Sequence, residues 1–234
     1  MSPIVEFWHI HRERILLVAV LSLSSAMSVS LVAARIFYLR DIHHIGLIWN
    51  LFLAWIPLFI ALGMWALVHR GYRSTFLLIG PFSVWFAFFP NAPYLVTDII
   101  HLHPHYRIPL WYDATMLFSF AWNGLCAGLV SLWIIQNLAI LQFGKWFSWL
   151  LVMVVVSASG FGVYLGRFLR WNSWDVITNP QLLLVDIVDR IINPLAHPRT
   201  YIFTLLFATL LFLAYATMTT LINAKWQHSF SPER

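Results

Sequence analysis

Asp98 and His101 stand three residues apart, with His103, His105 and Asp113 following within one connection. Carboxylate and imidazole at that spacing share a helical face. They can hold a divalent metal, with Asp113 as a third oxygen ligand, or work as a proton-transfer pair with Asp98 as the base. Pro104 splits the later histidines and no HExxH pattern accompanies them, so histidines merely solvated at a membrane surface account for the same residues. A second cluster runs Arg167, Arg170, Trp171, Asn172, Ser173, Trp174, Asp175. Two arginines three apart lie on one face, and their planar forks suit a phosphate or carboxylate, as in a lipid headgroup. The alternative is a lattice in which Arg167 or Arg170 pairs with Asp98, Asp113 or Asp175 and ties two connections together. The two roles are compatible.

These groups belong to a chain of 234 residues that is 61% apolar or aromatic and carries 23 charges, 14 from Lys and Arg and 9 from Asp and Glu. A soluble domain is charged at about a quarter of its positions, so this is a membrane protein. The net charge of +5 comes without a basic run, which excludes nucleic acid as a partner. One cysteine, Cys126, permits neither an internal disulfide nor a thiolate metal cluster. Thirteen Trp and eight Tyr suit rings anchored at headgroup depth.

A hydrocarbon core about 30 Å thick takes roughly 20 apolar residues as a helix. Six stretches meet that length, near 15–34, 47–68, 76–97, 114–140, 147–167 and 200–222. The fold class is therefore all-α, a polytopic bundle of about six transmembrane helices, with 1–234 as a single integral membrane domain. The first tract follows His11, Arg12 and Arg14 like a signal peptide, but its apolar length fits an uncleaved anchor better than cleavage after Ala34. Asn179 and Pro180 open a further helix that Pro194 ends; Asp186, Asp189, Arg190 and Asn193 share one face, Leu184, Ile187, Val188, Ile191 and Ile192 the other. This segment, near 180–193, is expected to lie flat at the membrane interface.

Six spans put both termini on one side and connections one, three and five on the other. All six Asp fall on the odd-connection side and all three Glu (6, 13, 233) on the terminal side. Lys and Arg divide seven to seven. Discounting Arg167 and Arg170 as held inside the protein leaves seven to five, which favours cytoplasmic termini. Asn50, Asn91, Asp98, Asn123 and Arg167 all approach the odd-connection end of their spans. A charge facing lipid costs about 2.5 to 3.5 kcal/mol at mid-bilayer, so such groups turn inward. A shared polar recess follows, built from Asn50, Asn91, Asp98, His101, Asp113, Asn123, Arg167, Arg170, Asn172 and Asp175. Gly124 and Gly128 on span four, and Ala158, Gly162 and Gly166 on span five, permit close approach that would bring Asn123 near Arg167. Pro90 and Pro93 must kink or end the third span, and a broken helix at membrane depth is tolerated where it lines a cavity.

The strings FPNAPYLVTDIIHL at 89–102, WYD at 111–113 and LRWNSWD at 169–175, in this order within six spans, resemble the prokaryotic membrane family called domain of unknown function 1361, over roughly residues 35–220. The resemblance implies the cytoplasmic membrane of a bacterium or archaeon. It brings no activity and no catalytic residues.

The leading expectation is a site that binds or processes an anionic amphiphile or small anion, the arginines holding its headgroup. Asp98 and His101 then serve as base and partner, or as metal ligands. A small transporter using the broken span and the same carboxylates is one alternative, although no inverted repeat is visible. A scaffold in which these polar groups are interhelical ties is another.

Overall fold

The structure is a computed structural model that describes residues 3–72, 74–104 and 106–224, with the backbone alone at 3–11, 13 and 14. His105, Arg73, Lys225, Glu233 and Arg234, and the side chains of Glu6, Glu13 and Arg14, lie outside the described residues.

The helices are α1 (Pro3–Leu39), α2 (Gly46–His69), α3 (Thr75–Phe88), α4 (Asn91–Tyr94), α5 (Leu110–Phe143), α6 (Lys145–Phe168), α7 (Asp175–Thr178), α8 (Pro180–Ile192) and α9 (Pro198–Asn223). A 3-10 segment, Leu95–His101, continues from α4. Among the described residues there is no strand. Six segments of the described residues are long and apolar enough to cross a bilayer: Ile15–Leu39, Gly46–His69, Thr75–His101, Leu110–Phe143, Lys145–Phe168 and Pro198–Asn223. They are the six spans expected, with the fourth extended at both ends.

The third span breaks where its prolines predict. Neither Pro90 nor Pro93 can donate to the helical ladder. Asn91 offsets one freed carbonyl by donating from Nδ2 to the Phe88 carbonyl at 2.9 Å. The backbone recovers for one turn in α4 and then winds tighter through Leu95–His101.

Lipid is as apolar as leucine, so helices in a bilayer associate through close packing of small residues. Both glycine stripes pack on the broken segment instead of on each other. A methyl group at Gly124 would meet the Ala92 carbonyl and lie 2.7 Å from Leu95, and one at Gly128 would lie 3.0 Å from Ala92. On α6, the same addition at Gly162 would come within 3.0 Å of Pro90, and at Gly166 within 3.1 Å of Tyr94. The expectation that these glycines draw Asn123 towards Arg167 is thus corrected: α4 is wedged between α5 and α6.

Apolar packing fills the remainder. Val32, Leu47, Leu51, Ala54, Met116, Leu117 and Phe120 form one buried cluster beside the break, and Leu58, Trp85, Leu132, Val152, Val155 and Tyr215 belong to a second, larger one. Helix α8 occupies the expected interfacial stretch. Its Leu184, Val188, Ile191 and Ile192 are exposed, whereas Arg190 is buried and donates to the Asp186 carbonyl at 2.7 Å. Its polar face is therefore turned onto the protein: Asp186 accepts from Trp171 Nε1 at 2.7 Å and the Arg190 carbonyl from the Tyr201 hydroxyl at 2.6 Å.

Candidate functional site

Helix α6 ends at Phe168, and Arg170 takes a left-handed backbone conformation, φ +63°, which lets the Trp171 N–H return to the Leu165 carbonyl at 3.2 Å. That reversal is a common helix terminator. It lays residues 170–174 across the bundle end where α3 breaks and α2 begins. Asp175 fixes the loop. One carboxylate oxygen accepts the Asn172 N–H at 2.7 Å, the other accepts from the Thr178 hydroxyl at 3.1 Å and Asn179 Nδ2 at 3.2 Å. The Asn172 N–H foremost holds the Asp175 carboxyl below its ordinary range. Asp175 is thus a brace for the loop and is absent from the pocket lining.

Beneath the loop lies a cavity of about 360 Å³. Its polar lining comprises Asn50, Asn91, Tyr94, Arg170, Asn172 and Ser173, and its aromatic lining Trp49, Trp171 and Trp174. Gly162 and Gly166 form part of the wall, so the close approach of α6 to Pro90 and Tyr94 also shapes the cavity. The lining includes one arginine and no acid. Arg170 is exposed and forms no salt bridge among the described residues.

Behind this cavity Asp98 and Arg167 converge as the sequence reading required. Asp98 is 2% exposed. Arg167 Nη2 bonds Asp98 Oδ1, its Nε donates to the Thr97 hydroxyl at 2.9 Å, and its Nη1 is 3.0 Å from His101 Nε2. The guanidinium also lies 4.2 Å from the Tyr94 ring centroid, a cation–π arrangement. Asn50 Nδ2 reaches the other Asp98 oxygen at 3.3 Å. Both carboxylate oxygens are therefore engaged by protein. Asp98, Asn50 and His101 also border a smaller cavity of about 210 Å³, together with His43 and His44.

Besides Asp175, two expected members of the recess lie elsewhere. Asp113 is 3% exposed and is gripped by Arg35, Nε to Oδ1 at 2.8 Å and Nη2 to Oδ2 at 3.3 Å. It is not drawn to Asp98 and His101, because the first turn of α5 faces α1. Among the described residues no three His, Cys, Asp or Glu side chains are arranged to hold a metal ion. Asn123 ties α5 to α1, donating to Ser28 at 3.0 Å and accepting from Ser25 at 3.3 Å.

Trp49 and Tyr94 are the lining residues that the sequence reading did not place in the site, and Arg35 is the partner of Asp113 that it missed. The signal for Arg35 was present, since an arginine within a helix whose remainder is apolar needs a buried partner.

A helical membrane protein with six spanning-length helices among the described residues, one of them broken, and a cavity whose lining holds one arginine and no acid is the class that fold and geometry define. The chain belongs to the family described as Protein of unknown function (DUF1361), whose profile matches residues 49–214. That stretch holds every residue lining the 360 Å³ cavity and both partners of the Asp98–Arg167 pair. No curated protein and no solved structure matches the chain.

Proposed function

We propose that the 360 Å³ cavity binds an anionic ligand, a lipid headgroup or small anion, with Arg170 as the cation that holds it. The observation that carries this reading is the unspent charge of Arg170 in a lining without a carboxylate. Arginine presents a planar fork to phosphate or carboxylate oxygens, and no acid in the lining repels them. Arg167 plays another part, since Asp98 already neutralises it. Binding is favoured over catalysis: the carboxylate once cast as a base is engaged on both oxygens.

The cavity volume suits a headgroup, standing near the lower end of the roughly 300 to 1,000 Å³ of small-molecule sites. In this reading the protein resides in the cytoplasmic membrane of a prokaryote, its termini in the cytoplasm and the cavity opening on the opposite face.

Native mass spectrometry of the detergent-purified full chain in the presence of anionic and zwitterionic lipids tests the proposal. The expected result is retention of an anionic lipid, reduced about tenfold or more by Arg170→Ala, the loss of one charge-assisted contact. Equal retention of both lipid classes, indifferent to Arg170, overturns it.

A further inference from the structure

We infer that the ligand of this cavity carries several hydroxyl groups beside its anionic group, as a sugar phosphate or polyol phosphate headgroup does; this rests on the anion-binding reading above. The argument is an account of which polar atoms the protein has already used. Asn91 Nδ2 donates to the Phe88 carbonyl at 2.9 Å and to Ser173 Oγ at 2.8 Å. Asn50 Nδ2 donates to the Asp98 carboxylate at 3.3 Å. A carbonyl and a carboxylate accept and cannot donate, so both amides are fixed with nitrogen towards the protein and neither is free to flip. What remains unspent, among the described residues, is Oδ1 of each, an acceptor. Ser173, having accepted from Asn91, retains its proton to donate, and the Tyr94 hydroxyl has no hydrogen bond among the described residues.

The lining therefore offers two amide acceptors, two hydroxyl donors and the Arg170 fork. A phosphomonoester dianion supplies acceptors alone. It would satisfy Arg170, Ser173 and Tyr94 and leave two amide oxygens facing acceptors, and an unpaired polar group on a desolvated surface is costly. Hydroxyl groups donate and accept at once and match the whole set. The indoles point the same way. Trp49, Trp171 and Trp174 line the cavity beside the Asn and Ser groups, and an aromatic face is negative, so it attracts the weakly positive C–H edges of a sugar or cyclitol ring.

The full chain in vesicles, offered phosphatidylinositol and phosphatidate of identical acyl chains, separates this inference from the reading beneath it. Soluble inositol 1-phosphate serves as competitor. Phosphatidylinositol should be preferred by about tenfold or more, the equivalent of one satisfied hydrogen bond. Asn91→Leu should weaken phosphatidylinositol binding more than phosphatidate binding and so narrow the gap between them. Ser173→Ala removes a donor that either headgroup uses and should weaken both lipids alike, leaving the preference in place. Arg170→Ala should weaken both lipids alike. Competition by inositol 1-phosphate at matching concentration identifies a free phosphoester as the ligand source, and its failure identifies the lipid; either outcome sustains the inference if the preference is present. Equal binding of the two lipids through Arg170 overturns the inference and leaves the anion site standing. Binding of neither removes both.

Discussion

Arg167, on the last turn of α6, reaches the 2%-exposed carboxylate of Asp98 on the 3-10 segment and so pins the broken third span to α6. Removing one partner of a buried pair leaves an uncompensated charge, which costs about 3 to 5 kcal/mol, far more than the net worth of the pair. Arg167→Ala and Asp98→Ala are each expected to destabilise the protein on that scale, and the double variant by clearly less than their sum. Thermal or denaturant unfolding in detergent measures all three. Strict additivity would mean that the two residues do not act as a pair.

A pH dependence follows from His44, which lies outside the spans, is 8% exposed and has no hydrogen-bond partner for either ring nitrogen among the described residues. Burial, then the neighbouring Arg35 guanidinium, lowers its pKa from the ordinary 6.5; Asp113 and Asp41 oppose this and His43 adds to it. The unfolded chain therefore takes up this proton before the folded protein does. Stability is lost as pH falls below about 6.5 and goes on falling until folded His44 itself protonates. His44→Leu should flatten that part of the acid limb and be neutral or stabilising at pH 7.5, because an unsatisfied buried polar group is removed. An unchanged acid limb would refute the assignment.

Hydrophobic length gave all six spans, and two prolines gave the break, because lipid tolerates neither a short helix nor an unpaired backbone. Asp98 and Arg167 were also legible, as charges within spans that had to find each other. Asp113 and Asn123 were misplaced for a different reason. Position along a span says which end of the bundle a residue occupies, but not which neighbour its face meets. Successive residues turn by about 100°, so Gly124 packs on Ala92 while Asn123 bonds to Ser28 on α1. Arg35 entered only the count of cations on the odd-connection side, when its exposure of 4% and its two hydrogen bonds to Asp113 make it a structural pair. The tryptophans of the cavity were hidden by the ordinary abundance of that residue at headgroup depth.

The wedge of α4 between α5 and α6 makes the glycines unequal. Gly124→Ala sets a methyl group against the Ala92 carbonyl and 2.7 Å from Leu95, atoms of the segment that carries Asp98. Overpacking of this kind costs about 1 to 3 kcal/mol. Gly162→Ala meets Pro90 at 3.0 Å and should cost less, yet it narrows the cavity that both residues line. Gly63→Ala has nothing within 4 Å and serves as the neutral control. Unfolding temperatures and anion retention measured side by side should rank Gly124 first for stability. They should also separate Gly162 from Gly63 by ligand loss. Equal behaviour of the three would contradict the wedge.

Orientation is the remaining prediction, and the buried pairs bear on it. The seven-to-seven division of Lys and Arg counts residues on the odd-connection side that are not free to interact with headgroups or cytoplasm. Arg35 is spent on Asp113, Arg167 on Asp98, and Arg190 on Asp186. Arg170, discounted from sequence as internal, is instead exposed. Removing the three paired residues leaves Arg40, Arg107, Arg170 and Arg199 against seven on the terminal side. An excess of cations marks the cytoplasmic side, so the termini are expected there and the cavity outside. In a Cys126→Ser background, His103→Cys should react with a membrane-impermeant maleimide on intact cells, and Ser74→Cys after lysis alone. Both positions are exposed and lie in opposite connections. The reverse pattern would place the cavity in the cytoplasm and make its ligand an intracellular anion.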